Sequence, residues 1–235
     1  MIQEFSRTEQ LLGTEVMARL AAARVAVFGI GGVGGYVVEA LARCGVGALD
    51  LIDSDEVAPS NINRQIIALH STVGQKKVEV MARRVADINP RAVVRVHPIF
   101  YLPETADQFD FTEYDYVVDA IDTVAGKLEL VKRAKSAGVP IICSMGAGNK
   151  TDPTAFEVAD IYATSVCPLA KVMRGLYRRE GIKALKVVYS KEPPLTPAIP
   201  AERENGRTPP ASAIFAPAAA GLAIAREVVR DLGER

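Results

Sequence analysis

Six residues, Gly29-Ile30-Gly31-Gly32-Val33-Gly34, stand between a short apolar run and a helical pattern. This is where a phosphate-binding loop belongs. Gly29 permits a tight turn, Gly31 and its neighbour Gly32 let backbone approach a phosphate, and Gly34 lets helix pack closely on strand. The helix that follows adds free N–H groups and partial positive charge. Asp53 comes nineteen residues after Gly34, at the end of the next apolar run. An acid there accepts hydrogen bonds from ribose hydroxyls and repels a 2′-phosphate. The competing reading is a glycine-rich turn that holds nothing.

A second group suggests which chemistry such a nucleotide would undergo. Ser54, Asp55, Ser60, Asn61, Asn63, Arg64 and Gln65 follow Asp53, and Gly74-Gln-Lys-Lys77 opens the next helical pattern. Cations beside a glycine loop suit a triphosphate, whose charge must be neutralised as pyrophosphate departs. Asp122, just past another apolar run, is placed to hold Mg²⁺ against that pyrophosphate. A hydride-transfer enzyme needs little of this, because its nicotinamide carries the chemistry. Taken singly, each residue also fits a solvated loop with ordinary surface lysines. Taken together, they favour triphosphate chemistry.

The elements that must position these groups alternate. Short strands are expected at 24–28, 48–53, 92–97, 116–119 and 140–143, with helices at 8–23, 33–43, 75–88 and 124–137. Gly13 weakens the first helix. This alternation predicts an α/β fold: a doubly wound, mostly parallel, Rossmann-like sheet with helices on both faces. Strands at 155–160 and 186–189 read as a small antiparallel extension, with a helix at 169–179 between them. The stretch 191–210 carries six prolines and reads as a mobile surface loop, a candidate lid. A C-terminal helix is expected at 213–232, and no internal repeat is visible.

Composition narrows the class. The 235 residues are 49% hydrophobic, enough for one ordinary α/β core, and 28 basic residues balance 28 acidic ones. No global charge marks a polyanion partner, so a nucleic-acid surface must be local. Cys44, Cys143 and Cys167 form no C-x-x-C pair, which argues against zinc and against a disulfide framework. A reducing cytoplasm fits best, and no signal peptide is visible. The apolar stretch 211–225 reads as a buried terminal helix, too short for a membrane span.

These motifs, with Ile88-Asn-Pro90 and Asp119-Ala-Ile-Asp122, stand in the order and spacing of the E1-like (ubiquitin-activating) superfamily, which the chain resembles over about residues 1–150. The resemblance implies a single adenylating domain over 1–235. Its nucleotide-binding half would be 1–150 and its substrate-binding half 151–235, with the Pro-rich loop at 191–210. It further implies that Asp53 binds ribose, that Asn61, Arg64 and Lys77 contact phosphates, and that Asp122 coordinates Mg²⁺. Asp55 and Gln65 belong to the same nucleotide site. Phe5-Ser-Arg7 resembles an N-terminal arginine element that reaches into the partner's site in a homodimer. The resemblance also leaves room for a sulfur-transfer partner.

Members that activate sulfur-carrier proteins usually hold zinc through two C-x-x-C pairs, and many place a cysteine in the loop matching 191–210. Neither feature occurs here. Gly146-Ala-Gly148 and Asp152-Pro153 instead resemble the branch that cyclises the threonylcarbamoyl group of adenosine 37 in tRNA. That likeness implies ATP-dependent adenylation of the substrate carboxylate, ring closure, and release of AMP and pyrophosphate. Adenylation supplies the leaving group and closure is intramolecular, so no protein nucleophile is required.

A tRNA substrate calls for a local basic surface. Lys171, Arg174 and Arg178 recur at helical spacing, followed by Arg179, Lys183, Lys186 and Lys191. A solubilising helix face is the plainer alternative. Tyr177 and Tyr189 suit base stacking less well than packing, and His70 and His97 have no assigned role. Cys167, before Pro168, reads as a small apolar residue rather than an activated thiol. Two rivals remain: an activator of a Gly-Gly-tailed carrier protein, and an NAD-dependent oxidoreductase or non-catalytic nucleotide-binding module.

Overall fold

A computed structural model describes residues 3–199 and 209–234. Two short helices, α1 (Ser6–Leu12) and α2 (Thr14–Ala22), precede β1 (Arg24–Phe28), α3 (Gly34–Arg43) and β2 (Ala48–Ile52). After an irregular stretch come α4 (Lys77–Ile88), β3 (Val93–His97), β4 (Tyr116–Asp119), α5 (Val124–Ser136) and β5 (Ile141–Ser144). The chain continues through β6 (Phe156–Asp160), α6 (Pro168–Arg179) and β7 (Lys186–Ser190) to α7 (Phe215–Gly233).

The seven strands form one sheet in the order β3-β2-β1-β4-β5-β7-β6, parallel throughout except for the last pair. Central strands such as β1 and β4 are almost wholly buried, as their β-branched runs require when both faces are covered. The first face packs on α3, α4 and α7 through residues such as Val27, Leu41 and Ile224. The second packs on α5 and α6 through Phe28, Leu130 and Met173. Phe28 is central to that second core, within 4.8 Å of Tyr101 and 5.4 Å of Phe109, ring centre to ring centre.

Two sequence expectations need correction. The first helix is two, broken at Gly13 with φ +89°, a conformation that glycine adopts without steric cost. The helix expected from 75 begins at Lys77, after the Glu56–Lys76 bridge straightens the preceding residues. The small antiparallel extension expected from the strands at 155–160 and 186–189 is present as the β6–β7 pair, and β7 joins it to the main sheet by pairing parallel with β5. The start of the Pro-rich stretch is also anchored. Glu192 accepts hydrogen bonds from the Thr151 and Asp152 backbone N–H groups, and Leu195 N–H donates to the Asn149 carbonyl at 2.7 Å. Part of the expected lid, 200–208, lies outside the described residues.

Candidate nucleotide site

The chain moves outward from β1 through β2 to β3, then returns to β4 and continues the other way. The loops after β1 and β4 therefore diverge and leave a crevice at the carboxyl edge of the sheet, the usual ligand position in such folds. A cavity of about 710 Å³ opens there.

Its floor is the glycine loop. Gly29 has φ +90°, and a side chain there would meet the Ala120 carbonyl at 2.6 Å. A β-carbon on Gly34 would lie 1.7 Å from the Gly29 carbonyl oxygen, so the helix can begin this close to its own strand only with glycine. Gly29, Gly31 and Gly32 line the cavity, whereas Gly34 is buried beneath them. Helix α7 supports the loop from behind: Gly32 abuts Pro217, and Gly221 abuts the Val33 carbonyl.

Asp53 ties β2 to this floor. Its carboxylate accepts from Ile30 N–H at 2.7 Å and from Asp55 N–H at 2.9 Å. Burial pushes the carboxyl above its ordinary value, while the Lys77 charge and those two N–H groups pull it back. A carboxylate offers about four lone-pair sites, so capacity for ribose hydroxyls remains.

One wall comes from the polar segment after β2. Asp55, Asn61, Arg64, Gln65 and Lys77 all border the cavity. The Lys77 ammonium, almost fully buried, sits 2.7 Å from the largely exposed Asp55 carboxylate. Arg64 donates to the Ser60 carbonyl at 2.7 Å, and Asn61 Oδ1 accepts from Ala58 N–H at 3.1 Å. Gln65 Oε1 is buried without a hydrogen-bond partner among the described residues, an acceptor left open beside the loop. The Asp122 carboxylate reaches the opposite rim, exposed and engaged by no hydrogen bond or ion pair among the described residues.

The far wall was not anticipated from sequence. Pro209, Pro210 and Ser212 return across the crevice, and Ser212 accepts from Asn63 Nδ2 at 2.8 Å. Gly148 makes room for this return, since a β-carbon there would lie 2.5 Å from Pro210 Cβ. Asn149, with φ +57°, fixes the same segment by accepting from Ala211 N–H through its side chain and donating to the Ala211 carbonyl through its own N–H.

The other sequence candidates lie elsewhere. Arg7 is exposed on a separate, mostly apolar groove that includes Leu11 and Leu222, which are 83% and 51% exposed. Lys171, Arg178 and Arg179 are exposed on α6, where the Arg178 guanidinium sits 5.4 Å above the Tyr162 ring centre. Arg174 is partly tied down by donating to the Thr164 carbonyl at 2.9 Å. Tyr177 and Tyr189 are buried and pack, as does Cys167. His97 pairs with Asp50 at 3.1 Å. Among the described residues, no three His, Cys, Asp or Glu side chains gather to hold a metal ion, and no helix is long and apolar enough to cross a membrane. A single carboxylate together with phosphate oxygens and water is nevertheless the usual donor set for Mg²⁺, and the Asp122 rim offers that carboxylate.

Comparison with known proteins accords with this geometry. The ThiF family matches residues 5–230. A tRNA threonylcarbamoyladenosine dehydratase of Bacillus subtilis is 46% identical over 242 aligned residues, spanning 99% of this chain and 95% of that one. The tRNA N6-threonylcarbamoyladenosine dehydratase TcdA of E. coli has been solved in complex with ATP; it superposes with a TM-score of 0.89 at 35% identity, covering 98% of this chain and 93% of that chain. Its complex with AMP superposes equally well and covers 94% of that chain. With its doubly wound sheet, its glycine-floored crevice and a match along almost its whole length, this chain belongs to the ThiF family.

Proposed function

We propose that this protein is an ATP-dependent dehydratase that adenylates the carboxylate of threonylcarbamoyladenosine at position 37 of tRNA and closes it to the cyclic form. The observation that carries the reading is the near end-to-end likeness to such dehydratases, on a chain whose crevice gathers the glycine loop, Asp53, Arg64, Lys77 and Asp122.

In this reading the loop backbone and the α3 N-terminus receive the phosphates, and Asp53 accepts from the ribose. The substrate carboxylate attacks the α-phosphorus and pyrophosphate leaves. Arg64 and Lys77 offset the charge that accumulates, Lys77 turning from Asp55 to phosphate. Mg²⁺, held by Asp122, would supply further neutralisation of the departing pyrophosphate. The carbamoyl group then closes onto the activated carbonyl, loses a proton and expels AMP. Pre-positioning both ends of one side chain supplies the rate advantage a protein nucleophile would otherwise give.

Residues 1–150 form the nucleotide-binding half, walled on one side by 209–212, and residues 151–235 form the substrate-binding half, with Lys171, Arg178 and Arg179 of α6 steering the tRNA phosphate backbone. The apolar groove beside Arg7 is where a second copy docks, which carries Arg7 into the partner's crevice. Such an exposed apolar face suits association. Pyrophosphate release with ATP tests the reading across unmodified tRNA, threonylcarbamoylated tRNA and a Gly-Gly-tailed carrier protein. Release with threonylcarbamoylated tRNA alone is expected. Release with the carrier alone would replace this reading by its rival.

A further inference from the structure

Beneath the crevice lies an ion pair that phosphate binding leaves without a role. Lys127 and Asp119 are both fully buried, with Lys127 Nζ 2.9 Å from Asp119 Oδ1. The same ammonium donates to the Ile121 carbonyl, also at 2.9 Å. The other Asp119 oxygen finds no N–H or O–H partner among the described residues. A buried ion pair is an expensive way to fill a core, since apolar residues of like volume usually do as well or better. Its position suggests what it is kept for.

The chain leaves β4 at Asp119 and enters α5 at Val124, so Ala120 to Thr123 form a bend of four residues. All four border the crevice. The bend is held at its start by Ala120 N–H donating to the Phe28 carbonyl and at its end by Lys127 N–H donating to the Thr123 carbonyl. Between those points, Ile121 N–H reaches Asp119 Oδ1 only at 3.3 Å, and Lys127 Nζ grips both Asp119 and the Ile121 carbonyl. The Asp122 side chain itself is held by nothing among the described residues. Only the backbone therefore fixes where that side chain starts, and Lys127 grips that backbone at Ile121.

We propose that Lys127, with Asp119 as its counter-charge, is a positioning residue that fixes the β4–α5 bend so that Asp122 meets the metal-bound end of the nucleotide. The inference rests on the reading of Asp122 given above. It separates two parts of the same ligand, because AMP uses the glycine loop and Asp53, whereas Mg·ATP also needs Asp122.

Calorimetric titration of AMP and of Mg·ATP into three variants tests it. Asp119→Asn/Lys127→Met removes both charges together and leaves no buried ion unpaired. Lys127→Arg retains the charge, but its wider planar head cannot meet both acceptors without moving the bend. Each should bind AMP within about twofold of the parent and Mg·ATP at least about tenfold more weakly, the scale on which loss of an outer support weakens metal binding. Asp122→Ala should show the same split. Equal weakening of AMP and Mg·ATP, or no weakening of Mg·ATP when Asp122→Ala does weaken it, overturns the positioning role alone. An unchanged Asp122→Ala removes the reading of Asp122 and this inference with it.

Discussion

Gly34→Ala places one methyl group where the fold has no room for it. The new carbon would sit 1.7 Å from the Gly29 carbonyl oxygen, against the 3.0 Å below which real β-carbons hardly ever approach, so the turn must open by about 1.3 Å. Gly29 N–H is bonded to the Ile52 carbonyl at 2.8 Å and the adjacent Ile30 N–H to Asp53 at 2.7 Å, and a shift of that size breaks both. Losing one neutral hydrogen bond and one to a charged group costs about 2–4 kcal/mol. For a chain of this size each kcal/mol lowers the melting temperature by about 2–4 °C, so a fall on the order of 10 °C is expected. AMP binding should become undetectable, because the ribose acceptor and the phosphate cradle move together. Gly35→Ala is the control one residue along. Its β-carbon meets only Ile66 Cγ2, at 3.3 Å, and alanine in place of glycine favours a helix by about 1 kcal/mol. Differential scanning calorimetry and AMP titration on both variants decide the matter. A Gly34→Ala chain that melts with the parent and binds AMP normally would refute the argument.

Three further outcomes are expected. Arg7→Ala and Lys77→Met subunits, each inactive alone, should recover about a quarter of parental activity when mixed at random, since half the dimers are mixed and each holds one complete site; no recovery removes the cross-subunit arginine. Lys171→Ala and Arg178→Ala should each flatten the dependence of log tRNA affinity on log salt by about 0.7–0.9 for every phosphate the variant no longer neutralises, and an unchanged slope removes α6 from the tRNA surface. Burial alone would raise the Glu39 carboxyl, yet hydrogen bonds from Arg84 at 2.6 Å and Arg43 at 2.8 Å outweigh it and hold the pKa down. A depressed folded pKa gives stability that is full above the unfolded value of about 4.3 and lost as pH falls through the folded one, so the melting difference between parent and Glu39→Gln should shrink below about pH 4.

The parts legible in the sequence are those fixed by neighbours along the chain. The glycine loop, Asp53 and the strand–helix alternation each announce themselves within a short window, because turns, N-termini and buried parallel strands demand particular residues locally. The parallel place of β7 was not legible, since an apolar run such as Lys186–Ser190 pairs equally well in either direction until its crossover is known. The return of Pro209 to Ser212 across the crevice depends on hydrogen bonds with residues near 63 and 149, far away in the chain. Lys77 could be recognised as a cation by the loop, but its pairing with Asp55 required the intervening bridge. Lys127 did leave a trace: it shares the inward stripe of α5 with Leu130, Val131 and Ala134, an odd position for an unpaired charge. Only the sheet reveals Asp119 facing it.

Oxygen transfer from substrate to nucleotide tests the adenylation claim most directly. Threonylcarbamoylated tRNA carrying ¹⁸O in its side-chain carboxylate should be turned over once with ATP, and the released nucleotide examined by mass spectrometry. Attack of that carboxylate on the α-phosphorus predicts one ¹⁸O in the phosphate of AMP and none in pyrophosphate. Label in inorganic phosphate beside ADP, or AMP free of label, would contradict it.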